Sequence, residues 1–299
     1  MKTSIKIGEV SKIPVRLHIT LLLVIGFIAW SIGSQVFQIA ELVGVDPATI
    51  SKGIQSYLIG IIIAVGLFFS VFLHEMAHSL VARSIGIKIE EITLWIFGGV
   101  SNMEEIPHEP NLEIKISIVG PLTSLGIGVL FYVLGLFPFN GALVFIFRYL
   151  GIINFILAGF NLLPAFPMDG GRVLRAILAK KYSYVSATKR AADLGKAFAV
   201  GLGILGIFAN PFLIIIALFV FIGASQESQT VMVREVLLEG NVKEIMTKEV
   251  KTVPPDMNVN DFLDFVFNVQ HTGFPVVDNG EILGIMTMED ARKTTTNYK

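Results

Sequence analysis

The chain has 299 residues, 53% hydrophobic and only 16% charged, with a net charge of −1 and no cysteine; its mean hydropathy is +0.71. Soluble domains hold nearer a quarter charged residues, so the composition predicts a multispanning membrane protein and offers no basic field for nucleic acid. Without cysteine there are no disulfides, iron–sulfur clusters, thiolate metal sites or cysteine catalysis, and any metal must be held by His, Asp or Glu.

Residues 1–16 are short and basic, with Lys2, Lys6, Lys12 and Arg16. The apolar stretch LHITLLLVIGFIAWSIGSQVF follows. A charge-then-apolar order fits a cleaved signal peptide, but no small-residue cleavage site is evident and the stretch is long enough to span. A second span is expected over 54–85, longer than a bilayer requires. Segment 87–109 differs in kind: β-branched and aromatic residues surround Gly98-Gly99, which predicts a hairpin, with Glu104 and Glu105 in an exposed charged loop. A third span covers 112–137, where Gly120, Ser124 and Gly128 stand at the spacing of a close-packing helix face. FPFNGA makes a turn, and a fourth span runs over 142–163. Residues 172–190 are basic, and an apolar run then carries Asn210-Pro211 in its middle, reading as one kinked span or two short ones.

Basic residues decide between them. The N-terminus, 83–115 and 172–190 are rich in Lys and Arg, whereas 41–53, 138–141 and 209–211 hold only Lys52. Six spans place every basic segment on one side, which puts both termini in the cytoplasm. From about residue 228 the pattern turns soluble. The expected architecture is an α-helical polytopic membrane core at 1–226, with a short membrane-associated β-hairpin, and a small α/β module at 227–299.

The second span ends in HEMAH, residues 74–78. On a helix His74 and His78 project from one face, one turn apart, so both imidazoles can meet one metal. Glu75 is rotated about 100° from His74, beside the ligands, where a carboxylate can take a proton from water. This is the H-E-x-x-H logic of zinc peptidases, and zinc lacks redox chemistry, which suits a hydrolase. The plainer reading is incidental polar residues at a helix end; ionisable groups inside a span are costly and functional by default, which weighs against it. A catalytic zinc takes three protein ligands and leaves one position open. In NLLPAFPMDGGR, Pro164 and Pro167 break the fourth span before Asp169, so the backbone there must line a polar cavity. Asp169 is the candidate third ligand; alone, it reads equally as a cap on a helix starting near Arg172. His18 reads as interfacial, His108 as a solvated loop residue and His271 as part of the soluble module.

HEMAH at 74–78, FGG at 97–99, GPL at 120–122 and NLLPAFPMDGG at 161–171 together resemble the site-2 protease family of intramembrane zinc metalloproteases, in the microbial branch carrying a CBS domain. The resemblance covers most of 10–225. It implies one Zn2+ held by His74, His78 and Asp169, Glu75 as base and acid, and Asn161 near the zinc, holding substrate or stabilising the oxyanion. It also implies that the FGG hairpin offers an edge to an extended substrate from another membrane protein. Met168 stands where Leu is commoner, a volume-conserving change. The spans over 192–226 are the expected lateral gate. HTGFPVVDNGEILGIMTMED at 271–290 resembles one CBS motif. Such motifs usually pair around an adenosine ligand, which implies an adenine nucleotide near Thr287 and Asp290 and homodimers formed through the modules. A structural module without ligand is the alternative reading. For the whole chain the alternative is a CBS-regulated ion transporter or channel, against which no inverted repeat is visible.

Overall fold

The computed structural model describes residues 4–296 apart from 97, 105–106, 240, 242, 244–245 and 270; Phe97 of the FGG segment and Glu105 therefore lie outside the described residues. The chain begins with strands β1 (Ser4–Val10) and β2 (Ile13–His18), then helices α1 (Thr20–Leu42) and α2 (Ile54–Ser84). Strands β3 (Ile89–Trp95) and β4 (Gly98–Met103) lead to α3 (Pro110–Leu134), α4 (Gly141–Asn161), a short α5 (Asp169–Ala179), α6 (Tyr184–Phe208) and α7 (Phe212–Glu239). Among the described residues six helices are long and apolar enough to cross a membrane: α1 to α4, α6, and Phe212–Glu235 of α7. Asn210 and Pro211 separate the last two, and the Asn210 side chain accepts from the Phe212 N–H at 3.0 Å.

Burial is inverted relative to a soluble protein. Leu23, Phe27, Trp30 and Phe208 face outward, while Ser56, Ser70, Ser79 and Asn154 are buried. An exterior of this kind suits hydrocarbon; of the polar groups turned inward, Asn154 donates through Nδ2 to Ser70 Oγ at 3.1 Å, while its Oδ1 and Ser117 Oγ have no hydrogen-bond partner among the described residues. Val36, Ile63 and Phe145 lock α1, α2 and α4 together. α3 packs on α2, α4 and α5.

The four strands form one sheet in the order β1-β2-β3-β4. The β3–β4 hairpin lies where the residues around Gly98-Gly99 predict it. The N-terminal hairpin is absent from the sequence expectation, which reads residues 1–16 only as a basic lead. Ser11 and Lys12 take φ of 51° and 60° at its turn, positions at which Asn-Gly is the usual signal. β2 pairs with β3 in parallel, Val15 opposite Ile92, with α1 and α2 as the crossover that parallel strands require.

A buried ion cluster ties four helices. Arg175 of α5 donates to Glu113 of α3 at 2.7 Å and to Glu227 of α7 at 2.7 Å, and its guanidinium lies 4.8 Å from the ring of Tyr184 on α6. His108, expected to be solvated, is exposed yet stacks on Tyr184 with ring centroids 3.8 Å apart.

Contacts divide the chain into units 1–235 and 236–299. The second contains α8 (Val259–Val269), the antiparallel strands β5 (Gly273–Asp278) and β6 (Glu281–Thr287), and α9 (Met288–Thr296). Asn279 and Gly280 form the hairpin turn with φ of 47° and 86°. Val253, Phe262, Val266, Phe274 and Ala291 make its core.

Candidate metal centre

His74 and His78 lie on one face of α2, about 30 Å along its axis from Ile54, and are only 4% and 6% exposed. Pro167 and Met168 bring the chain back so that Asp169 opens α5. Asp169 does not cap that helix: the N-cap position is Met168, with no side-chain bond, and the Asp169 carboxylate points to the histidines instead. His74 Nε2 and His78 Nε2 are 3.1 Å apart, and Asp169 Oδ2 lies 3.1 Å and 3.2 Å from them.

Each imidazole is oriented from behind. His78 Nδ1 is 2.6 Å from the Ile116 carbonyl. A carbonyl only accepts, so Nδ1 carries the proton and Nε2 of the neutral ring presents a lone pair. His74 Nδ1 is held by Ser124 Oγ at 2.9 Å, the outer support that metal-binding histidines use. Three electron-rich atoms thus converge on one point, an arrangement that a cation relieves. Tetrahedral zinc with bonds of about 2.0–2.1 Å needs ligand atoms about 3.3–3.4 Å apart, close to the spacing here. Among the described residues these three have donor atoms clustered closely enough to hold a metal. The residues fit a zinc ion with one face open.

That face opens into a cavity of about 420 Å³ lined by Glu75, Gly99, Asn161, Arg172 and Phe219. Gly99 lies on the edge strand β4 against Glu75: a Cβ there would stand 2.3 Å from Glu75 Cγ. Asn161, the last residue of α4, reaches the cavity while donating to Leu157 O at 3.0 Å. Gly120 lies closer to the histidines than Gly99 does to Glu75: a Cβ would stand 2.1 Å from His78 Nε2 and 2.7 Å from His74 Nε2. Ser124, the Ile116 carbonyl, Gly120 and Arg172 are absent from the sequence expectation as site residues. The small-residue spacing on α3 marks two of them, but as a packing face.

In the second unit Thr287 and Asp290 do meet. Thr287 Oγ1 donates to Asp290 Oδ2 at 2.5 Å, and the Asp290 N–H donates back to Thr287 Oγ1 at 3.2 Å. This is a capping box on α9. The Thr287 hydroxyl holds the Asp290 carboxyl below its ordinary pKa. Thr287 lines a surface cleft with Thr272, Gly273 and Arg292; Asp290 is exposed outside that lining.

An H-E-x-x-H helix completed by a distant aspartate, within a bundle of spanning helices, defines an intramembrane metallohydrolase. The sequence profile of peptidase family M50 matches residues 62–141 and 137–202, and that of the CBS domain matches 242–295. Zinc metalloprotease MJ0392 of Methanocaldococcus jannaschii is 39% identical over 98% of this chain and 80% of its own length. Rip3 of Mycobacterium tuberculosis is 30% identical over 98% of this chain and 76% of its own. The solved structure of the site-2 protease from Methanocaldococcus jannaschii superposes with a TM-score of 0.52 at 38% identity, covering 75% of this chain and 95% of that one. The chain belongs to peptidase family M50, the site-2 protease family of zinc metalloproteases, and is a multi-pass membrane protein with a CBS domain.

Proposed function

We propose that this protein hydrolyses peptide bonds in or near the transmembrane segments of other membrane proteins, with zinc held by His74, His78 and Asp169. The convergence of their three donor atoms beside Glu75, in a cavity enclosed by spanning helices, carries the reading. Bound zinc supplies Lewis acidity, acidifying water and polarising a carbonyl. Glu75 takes the proton of the attacking water and returns it to the leaving amine. Asn161 donates to the carbonyl oxygen as negative charge develops there. The free edge of β4 hydrogen-bonds the substrate as an added strand, which satisfies peptide groups once the target helix has unwound.

On this reading the N-terminus, the CBS unit and the metal-site end of α2 lie on the cytoplasmic side, which the distribution of basic segments supports, and cleavage releases a cytosolic fragment. α6 and α7 form the lateral gate, and an adenine nucleotide in the Thr287 cleft of the CBS unit, with modules paired between chains, regulates it. Titration calorimetry with ATP, ADP and AMP tests the last point; no heat with any of them refutes it.

The deciding experiment compares the parent with Glu75→Gln in detergent, measuring bound zinc and cleavage of a single-span test substrate. Both are expected to bind about one zinc per chain, and only the parent to cleave, with a chelator abolishing cleavage. A parent that binds no zinc overturns the proposal.

A further inference from the structure

The catalytic cavity does not end at the metal centre. A second cavity of about 290 Å³ adjoins it, and Ser101, Met103 and Arg172 line both. Arg172 lies three residues beyond Asp169, on the first turn of α5, half-buried. Its neighbour one turn on, Arg175, holds Glu113 and Glu227. Arg172 itself makes no side-chain hydrogen bond or ion pair among the described residues. The acids around the second cavity are placed elsewhere: Glu227 is bound to Arg175, Glu235 faces His108 at 3.6 Å, and Glu104 is exposed. Arg172 is therefore a positive charge on the wall of the catalytic cavity, shared with Glu75 and Asp169, that no carboxylate among the described residues contacts as an ion pair.

An unpaired guanidinium among spanning helices is expensive, and its cost falls when an anion reaches it. Peptide hydrolysis makes such an anion on the spot. Water adds its hydroxyl to the acyl carbon, the C–N bond breaks, and the amine leaves with the transferred proton. The acyl fragment is left as a carboxylate and the other fragment as an ammonium group. We propose that Arg172 is a substrate-binding residue that receives the newly formed carboxylate and draws it from the metal centre toward the second cavity. The planar fork of arginine matches a carboxylate bidentately, which a lysine cannot do. The inference rests on the hydrolase reading above and assigns the exit side of that site.

The test uses an apolar hexapeptide made as the free acid and as the C-terminal amide. Binding of each is measured on full-length protein stripped of zinc, so that no metal competes for the carboxylate. The parent, Arg172→Gln and Arg172→Lys are compared, each checked for its melting temperature. The parent is expected to prefer the acid by about tenfold or more. The preference should fall to near unity in Arg172→Gln and be partly restored in Arg172→Lys, which also guards against a Gln variant that fails to fold. A preference that survives Arg172→Gln, or a parent that binds acid and amide alike, overturns the inference. Failure of the hydrolase reading looks different: the zinc-loaded parent does not cleave, whatever the acid preference.

Discussion

Gly120→Ala should destroy the metal centre while leaving the fold in place. The new methyl carbon would stand 2.1 Å from His78 Nε2 and 2.7 Å from His74 Nε2. Non-bonded carbon and nitrogen atoms do not approach within about 3 Å, so the His78 ring must retreat by about 1 Å at its coordinating atom. Metal geometry tolerates about 0.5 Å, so zinc affinity should fall at least a hundredfold, about 2.7 kcal/mol. The fold has compensation that the site lacks. Alanine is favoured over glycine in a helix by about 1 kcal/mol, against about 1–3 kcal/mol for overpacking. The imidazoles can also swing away, which relieves the clash at the expense of the site. Bound zinc after purification, and its loss to a graded chelator, read the effect against a thermal melt. Gly126→Ala on the same helix is the control, since a Cβ there meets nothing within 4 Å. Gly120→Ala protein that keeps one zinc with parental affinity would refute the reasoning.

Five further outcomes are expected. Ser124→Ala removes the support of His74 Nδ1 and should weaken zinc about 10- to 100-fold by chelator competition, without unfolding. Gly99→Val pushes into Glu75 and should lower kcat while bound zinc stays near the parental level. Arg175→Met strands Glu113, which is 2% exposed, and should cost about 3–5 kcal/mol in an unfolding titration; Glu227→Gln, at the wetter end, should cost under about 1 kcal/mol. Asp290 has a folded pKa below its unfolded one, so its contribution to α9 is present above the unfolded value and disappears as pH falls through the folded value. Hydrogen exchange of the first turn of α9 should therefore separate Asp290→Asn from the parent at pH 6 and converge in acid.

The juxtaposition of His74 and His78 was legible because it is local in sequence. His74, Glu75 and His78 share one helix, so their spacing alone placed them, and the prolines before Asp169 announced an irregular backbone. Asn210-Pro211 and the basic segments between them settled the span count. What escaped was set by distant pairing. Ser124 looked like a packing residue because its partner is fifty positions away on α2. The Ile116 carbonyl has no side-chain signature at all. The N-terminal hairpin turned on Ser11 and Lys12, which accept left-handed backbone without advertising it as Asn-Gly would. Arg172 sat inside a basic run that reads as topology, and only its place between two cavities singles it out.

The parallel pairing of β2 with β3 also constrains how the molecule is made. Val15 can meet Ile92 only if the chain between them returns to the membrane face it left, which requires an even number of crossings irrespective of charge. During synthesis β2 emerges first and stays without its inner neighbour until two spans have been inserted. Half of the sheet is thus made well before the other half exists, and β4, the edge proposed to receive substrate, is the last strand to arrive. A fusion at the N-terminus would burden the growing sheet at its first strand, three strands away from that edge.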